Sequence, residues 1–271
     1  MRRAFALMAI AVAAATSAVA CTDVSTDPNA VVGLRFDGSA YPSIVLGDSL
    51  RDSLGTLQPL SATPLNYKGE AIEGVEVLFS SPDTVLRMLE NGNVFARTLK
   101  PGNTAALVFA GVGSLQSQPD DLFIVPRADS IRPAVEADTA FIADGRAVSP
   151  EELAYTVLGD TAVNKPKMTV QSWLVSFQLR YRNAILVSTD RSVAYSCATV
   201  GTRNVLSFVD TTDGSGRASR KVCVRAPRLP EDTIFLIATA RRRKAGTLPL
   251  TAETRLILRP APPATTRIPP S

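Results

Sequence analysis

The segment VQSWLVSFQLRY (170–181) sets Trp173, Val175, Phe177 and Leu179 two residues apart, so an extended chain carries all four on one face. The same period of two runs through YPSIVLGDSLR (41–51), GVEVLFSS (74–81), NVFARTL (93–99), TAALVFAG (104–111) and DLFIVPR (121–127). In GVEVLFSS, Val75, Val77 and Phe79 fall on one side and Glu76 on the other. Turn-forming pairs separate the segments: Gly47-Asp48, Asn91-Gly92, Pro101-Gly102 and Gln118-Pro119. Short alternating strands joined by tight turns predict an all-β chain of antiparallel sandwiches rather than βαβ units. No segment carries a long apolar stripe of helical period. One place favours a helix start: Ser149-Pro150-Glu151-Glu152-Leu153 offers a cap, a proline at the first helical position and acids in the first turn, which predicts one or two turns.

The N-terminus has a different character. Arg2 and Arg3 precede an alanine-rich apolar stretch from Ala4 to about Ala15, and a small-residue segment, Thr16–Ala20, follows. This three-part layout predicts a secretory signal over residues 1–20. The apolar run is shorter than the about 20 residues a bilayer span needs. Ala18-Val19-Ala20 fits an ordinary cleavage site, and Cys21 directly after it resembles the lipobox of bacterial lipoproteins, with Ala18 where that pattern most often has Leu. The resemblance implies lipidation of Cys21 and attachment to the cell membrane or outer membrane; plain secretion or release into the periplasm is the alternative. Residues 21–30 read as a short polar tether.

The chain has no histidine, which removes Ser-His-Asp and Cys-His nucleophiles, the H-E-x-x-H zinc motif and His-rich metal sites. Ser-x-x-Lys, Gly-x-Ser-x-Gly and glycine-rich phosphate loops are absent too. The reading is therefore non-catalytic, with no cofactor and no metal. A carboxylate pair remains the one catalytic device still open, though no spacing singles a pair out. Charge is divided along the chain, net −5 over residues 22–127 and net +7 over 128–271. A basic half can meet a polyanion, and it also serves solubility.

The stretch VEVLFSSPDTVLRMLENGNVFARTLKPGNTAALVF (75–109) resembles the central repeat of bacterial Ig-like domains. The matching positions are Phe79, Ser80, Ser81, Asp83, Val85, Gly92, Val94, Ala96 and Gly102, with Phe79 where the family commonly has Trp. Gly92 and Gly102 suit turns that need positive φ. The resemblance implies an Ig-like sandwich over 31–127. After a short linker at Arg127–Ser130, IRPAVEADTAFIAD (131–144) reads as the first strand of a second, more divergent Ig-like sandwich over 131–260. Within it, Thr212-Asp213-Gly214-Ser215-Gly216-Arg217-Ala218 is similar to a turn of the invasin-type group, and DTIFLIATARRRKAGTLPLTAETRLILRP (232–260) forms a final hairpin. Residues 261–271 are a Pro-rich tail.

Three features invite a functional reading. Arg241, Arg242, Arg243 and Lys244 form a cationic loop that could grip phosphate, lipopolysaccharide or an anionic glycan, or serve only to keep a hairpin solvated. Nucleic acid is not expected, because no aromatic residues interleave with the cations. Asp210 and Asp213, in one loop with Gly214 and Gly216, could offer oxygen ligands to calcium, but their register fits no Ca²⁺ loop and a structural turn is the expectation. Cys197 and Cys223, exported and with Cys21 acylated, are the pair left to bond, at about 3–4 kcal/mol; two buried free thiols are the alternative. The whole predicts an envelope lipoprotein of two tandem Ig-like sandwiches that binds a surface, through an anionic glycan or another surface protein. A structural spacer and a carboxylate-based glycan-active enzyme are the other classes.

Overall fold

Alternation on the sequence becomes alternation in space. In the computed structural model, Trp173, Val175, Phe177 and Leu179 are all buried, while Leu174, Ser176 and Gln178 between them face outward. The structure describes residues 27–39, 41–143, 146–160, 166–187, 191–225, 233–243 and 247–261. Among these there is no α-helix. Cys21, the signal segment and the tail from 262 lie outside the described residues, and so does Lys244.

The first half holds β1 (Gly33–Phe36), β2 (Ser43–Val45), β3 (Ala62–Leu65), β4 (Leu78–Ser80), β5 (Leu86–Met88), β6 (Val94–Ala96), β7 (Ala106–Val112), β8 (Leu115–Gln116) and β9 (Asp120–Val125). The second half continues with β10 (Arg127–Pro133), β11 (Ala137–Ile142), β12 (Ala147–Val148), β13 (Leu153–Asp160), β14 (Met168–Thr169), β15 (Leu174–Tyr181) and β16 (Ala184–Ile185). It closes with β17 (Ala194–Val200), β18 (Arg203–Leu206), β19 (Val209–Thr211), β20 (Arg217–Val224), β21 (Thr233–Ala240) and β22 (Leu250–Pro260).

By contacts the chain forms two compact units. One comprises residues 27–37, Ser61–Ser80 and Phe109–Pro119; the other comprises Gly38–Leu60, Ser81–Val108 and Asp120 onward. The smaller unit is built on the β1–β3 antiparallel pair, with Phe36 meeting Phe79 edge-to-face at 6.1 Å. In the larger unit β2 runs parallel to β9, β9 pairs antiparallel with residues 106–108 of β7, and β5 pairs with β6. The Ser81-x-Asp83 stretch there holds β7 in place. Ser81 Oγ donates to Leu107 O at 2.6 Å, and Leu107 N donates to Asp83 Oδ2 at 2.9 Å. Gly92 and Gly102 both adopt positive φ, as their turns require.

The second half is a sandwich with immunoglobulin strand order. One sheet runs β10-β13-β20-β17-β18; the other runs β11-β22-β21-β15-β16, with β11 parallel to β22. These are the A-B-E-D and C-F-G sheets of an Ig domain, with β16 added beside C and β18 beside D. Between the sheets, where antibody domains bridge strands B and F with a disulfide, the buried Tyr155 of β13 donates its hydroxyl to Leu236 O of β21 at 2.8 Å. Burial pushes the Tyr155 phenol up to about 12.

Two local expectations are corrected. Ser149–Leu153 forms no helix: Ser149 Oγ accepts a hydrogen bond from Val222 N, Ser149 N bonds Val222 O, and Leu153 opens β13. A cap signal worth about 1 kcal/mol yields to sheet pairing that satisfies the same backbone groups. Residues 131–144 are not one strand. The chain is already extended in β10 from Arg127, leaves it after Pro133, and enters the opposite sheet as β11.

Candidate functional site

The cationic segment following β21 is divided by its own backbone. Arg241 is exposed, Arg242 is half-buried, and Arg243 is only 3% exposed. Arg243 has φ +54, in the left-handed region that costs a side-chain-bearing residue on the order of 1–2 kcal/mol. That turn sends its guanidinium inward. Nη2 donates to Ser43 O at 2.6 Å and to Arg51 O at 2.9 Å; Nη1 donates to Ser43 Oγ at 3.0 Å. The guanidinium carbon lies 3.9 Å from the Tyr41 ring centroid and 4.9 Å from that of Trp173. Arg243, read from the sequence as part of a cationic loop free to meet an anion or solvent, is therefore spent inside the unit.

The surroundings of Arg243 are tied together. Ser43 Oγ donates to Ser172 O at 2.9 Å, and Ser172 is itself left-handed, with φ +53. Trp173 Nε1 donates to Arg241 O at 3.0 Å, Leu174 N donates to the Tyr41 hydroxyl, and the Tyr41 and Trp173 rings meet at 6.0 Å. Burial raises the Tyr41 phenol to about 12 and lowers the Arg243 guanidinium to about 10, so at neutral pH the phenol is neutral and the guanidinium charged. A charge so placed is compensated by the ring faces and three acceptor contacts.

Above this cluster opens a cleft of about 460 Å³. Its floor is the outward face of the C and F strands: Ser176 and Gln178 on β15, and Thr239 on β21, where Ser176 and Thr239 are paired. Arg241, Arg242, Thr247 and Pro249 form one wall, and Ser53 and Leu54 the other. The second wall is a tight turn in which Asp52 Oδ1 accepts hydrogen bonds from Leu54 N at 2.8 Å and Thr56 N at 2.9 Å. Among the described residues no carboxylate lines the cleft. Arg243 joins the two walls, since it follows Arg242 in the chain and holds the Arg51 carbonyl two residues before Ser53.

The other sequence candidates fall elsewhere. Cys197 and Cys223 are disulfide-bonded with Cα atoms 6.1 Å apart, linking β17 to β20 within one sheet. Their neighbours Ala194, Val222 and Val224 face the main core, whereas Tyr195, Cys197 and Cys223 form a separate cluster covered by Leu206. The Asp213 carboxylate is consumed by its own turn, accepting from Ser215 Oγ at 2.7 Å and from the backbone of Ser215 and Arg217. The Ser215 hydroxyl and those amides hold it below the usual carboxylate range. Asp210 pairs with Arg220 at 3.0 Å.

One carboxylate pair exists that sequence spacing gave no reason to choose. Asp129 and Asp160 lie beside each other at the bulge between β10 and β13. The neighbouring Asp129 carboxylate pushes Asp160 up. Burial opposes the charge on Asp129, but hydrogen bonds from Lys167 and Ser130 outweigh it and hold that group low. Neither acid lines the cleft.

No protein-family model matches the chain, and no curated protein does. Among solved structures the chain is similar to the Yersinia pseudotuberculosis adhesin InvE, at 15% identity and TM-score 0.32, covering 86% of this chain and 61% of that one. It is also similar to the protocadherin GammaB4 extracellular domain, at 14% identity and TM-score 0.25, covering 85% of this chain and 34% of that one. A third is a glycosyl hydrolase family 2 member from Bacteroides cellulosilyticus, at 12% identity and TM-score 0.28, covering 66% of this chain and 22% of that one. The chain thus spans less than two thirds of the length of each, and likenesses this distant bear on no function.

Proposed function

We propose that the protein is an exported, non-catalytic Ig-like module of the bacterial cell envelope, attached through lipid on Cys21, that binds a surface partner at the end of its second sandwich. The observation that carries the reading is the cleft beside Arg241 and Arg242. Sandwich residues are ordinarily spent on the core or on solvation, and ligands meet loops held by a rigid scaffold. Here a loop and a sheet face form a concave, polar wall braced from beneath by Arg243. The likeness of residues 75–109 to bacterial Ig-like domains points the same way, by analogy of fold. The lipid attachment and the envelope location rest on the sequence around Cys21.

Two measurements test this. Palmitate labelling with mass determination of the mature N-terminus is expected to give an acylated Cys21, lost in Cys21→Ala. An unlabelled chain starting at residue 21 sinks the anchor and leaves a secreted protein. Cosedimentation with isolated envelopes is expected to show saturable binding. No binding to any envelope fraction replaces the surface-binding reading with that of a spacer.

A further inference from the structure

Within that surface-binding reading, we infer that the cleft above Arg243 takes an oxyanion-bearing saccharide, a uronate or sulfated sugar unit, with Arg241 and Arg242 as its anion ligands. Three observations meet here. The first is charge without compensation. Arg241 and Arg242 both line the cleft, no carboxylate lines it, and neither arginine has an acidic partner among the described residues. Arg242 Nη2 reaches only the Asp129 carbonyl among the described residues, at 3.5 Å. A guanidinium fork with unused donors is matched geometrically by carboxylate or sulfate.

The second is what lies opposite the cations. Ser53, Ser176 and Thr239 contribute hydroxyls and Gln178 an amide, groups that both donate and accept, as ring hydroxyls require. Leu54, 63% exposed at the rim, offers the apolar surface on which the C–H face of a sugar packs. A bare inorganic anion needs none of these. The third is size: about 460 Å³ lies within the roughly 300–1,000 Å³ typical of small-molecule pockets, well beyond one sulfate.

Arg243 is a positioning residue in this scheme. Its guanidinium is committed to Ser43, Arg51 and the two rings, and it fixes the spacing between the Arg241–Arg242 wall and the Ser53–Leu54 wall.

The test uses purified full-length protein and its single tryptophan, Trp173, whose indole N–H bonds the Arg241 carbonyl and so reports on that wall. A defined oligogalacturonide, a sulfated heparin-type oligosaccharide, a neutral maltooligosaccharide and inorganic sulfate are titrated separately, with calorimetry as a second readout. One or both acidic oligosaccharides are expected to bind, more weakly as salt is raised, with no binding of the neutral sugar. R241A/R242A is expected to bind at least about 10-fold more weakly with an unchanged thermal midpoint, and the single variant Arg241→Ala, at an exposed position, repeats the loss in part. Equal binding by the double variant, equal binding of the neutral sugar, or sulfate binding as tightly as the oligosaccharides each overturns the inference. If R241A/R242A still cosediments with envelopes as the wild type does, the saccharide site falls and the surface-binding reading stands. If the wild type binds neither envelopes nor acidic sugars, both fall.

Discussion

Arg243 and Tyr41, 202 positions apart in a chain of 271, are stacked with 3.9 Å between guanidinium carbon and ring centroid. That contact joins the segment after β21 to the strand β2 region, inside one compact unit that holds parts of both halves of the chain. Residue 243 is therefore a structural cation in a run whose other described members face the cleft.

Arg243→Ala is expected to cost about 3 kcal/mol or more, because it orphans the carbonyls of Ser43 and Arg51 and removes a desolvated cation–π contact. Arg243→Lys keeps the charge but cannot span both carbonyls with a fixed fork, and about 2 kcal/mol is expected. Arg241→Ala is expected to stay within about 0.5 kcal/mol. Urea unfolding followed by Trp173 fluorescence measures all three. Equal stability of R243A and R241A would show that the stack carries no load.

The disulfide encloses a sequence separation of 26 and sits on the outer face of its sheet, so its loss opens no void in the main core. Stabilisation then comes from cross-linking the unfolded chain, and C197A/C223A is expected to lose about 3–4 kcal/mol. The reduced wild type should lose the same amount in denaturant titrations. A loss under about 1 kcal/mol in both contradicts the cross-link account.

Alkaline pH should destabilise the protein through Tyr41 and Tyr155. Both phenols titrate near 12 when folded against an ordinary 10, so between these values the folded state holds protons that the unfolded state has released. Their contribution is complete below pH 10 and is lost as pH rises toward 12. Tyr155→Phe should flatten this fall and lower stability at neutral pH, since it leaves the Leu236 carbonyl unpaired by that hydroxyl. Unfolding free energies measured across this range decide it; an unchanged slope in Tyr155→Phe counts against the assignment.

Gly216 and Gly113 are both left-handed, with φ +73 and +58. A Cβ at Gly216 meets Val157 O and Thr169 Cβ at 2.9 Å each, while one at Gly113 meets nothing within 4 Å. Gly113→Ala is expected to cost about 1 kcal/mol from backbone strain alone, and Gly216→Ala clearly more, about 3 kcal/mol. Thermal melts of the two variants separate the clash from the strain. Equal losses would mean that the turn at 213–217 shifts freely.

The period-two apolar pattern fixed which faces of the strands are buried, from Trp173 to Leu179 and at Val94 and Ala96, because a strand has only two faces and one must leave water. Glycines at 92 and 102 likewise announced turns that side chains disfavour. Such signals are local, and the sequence contains them whole. The helix signal at Ser149–Leu153 was local as well, and it lost to backbone partners on β20 that no nearby residue could reveal. The arginine run shows the limit most clearly. Arg241, Arg242 and Arg243 are chemically identical, and nothing beside them in the sequence tells them apart. Only the left-handed turn at Arg243, made tolerable by two carbonyls and the Tyr41 ring supplied about 200 residues earlier, divides a structural charge from those that line the cleft. Desolvating a cation is settled by the partners that gather around it, and tertiary structure alone brings those partners together.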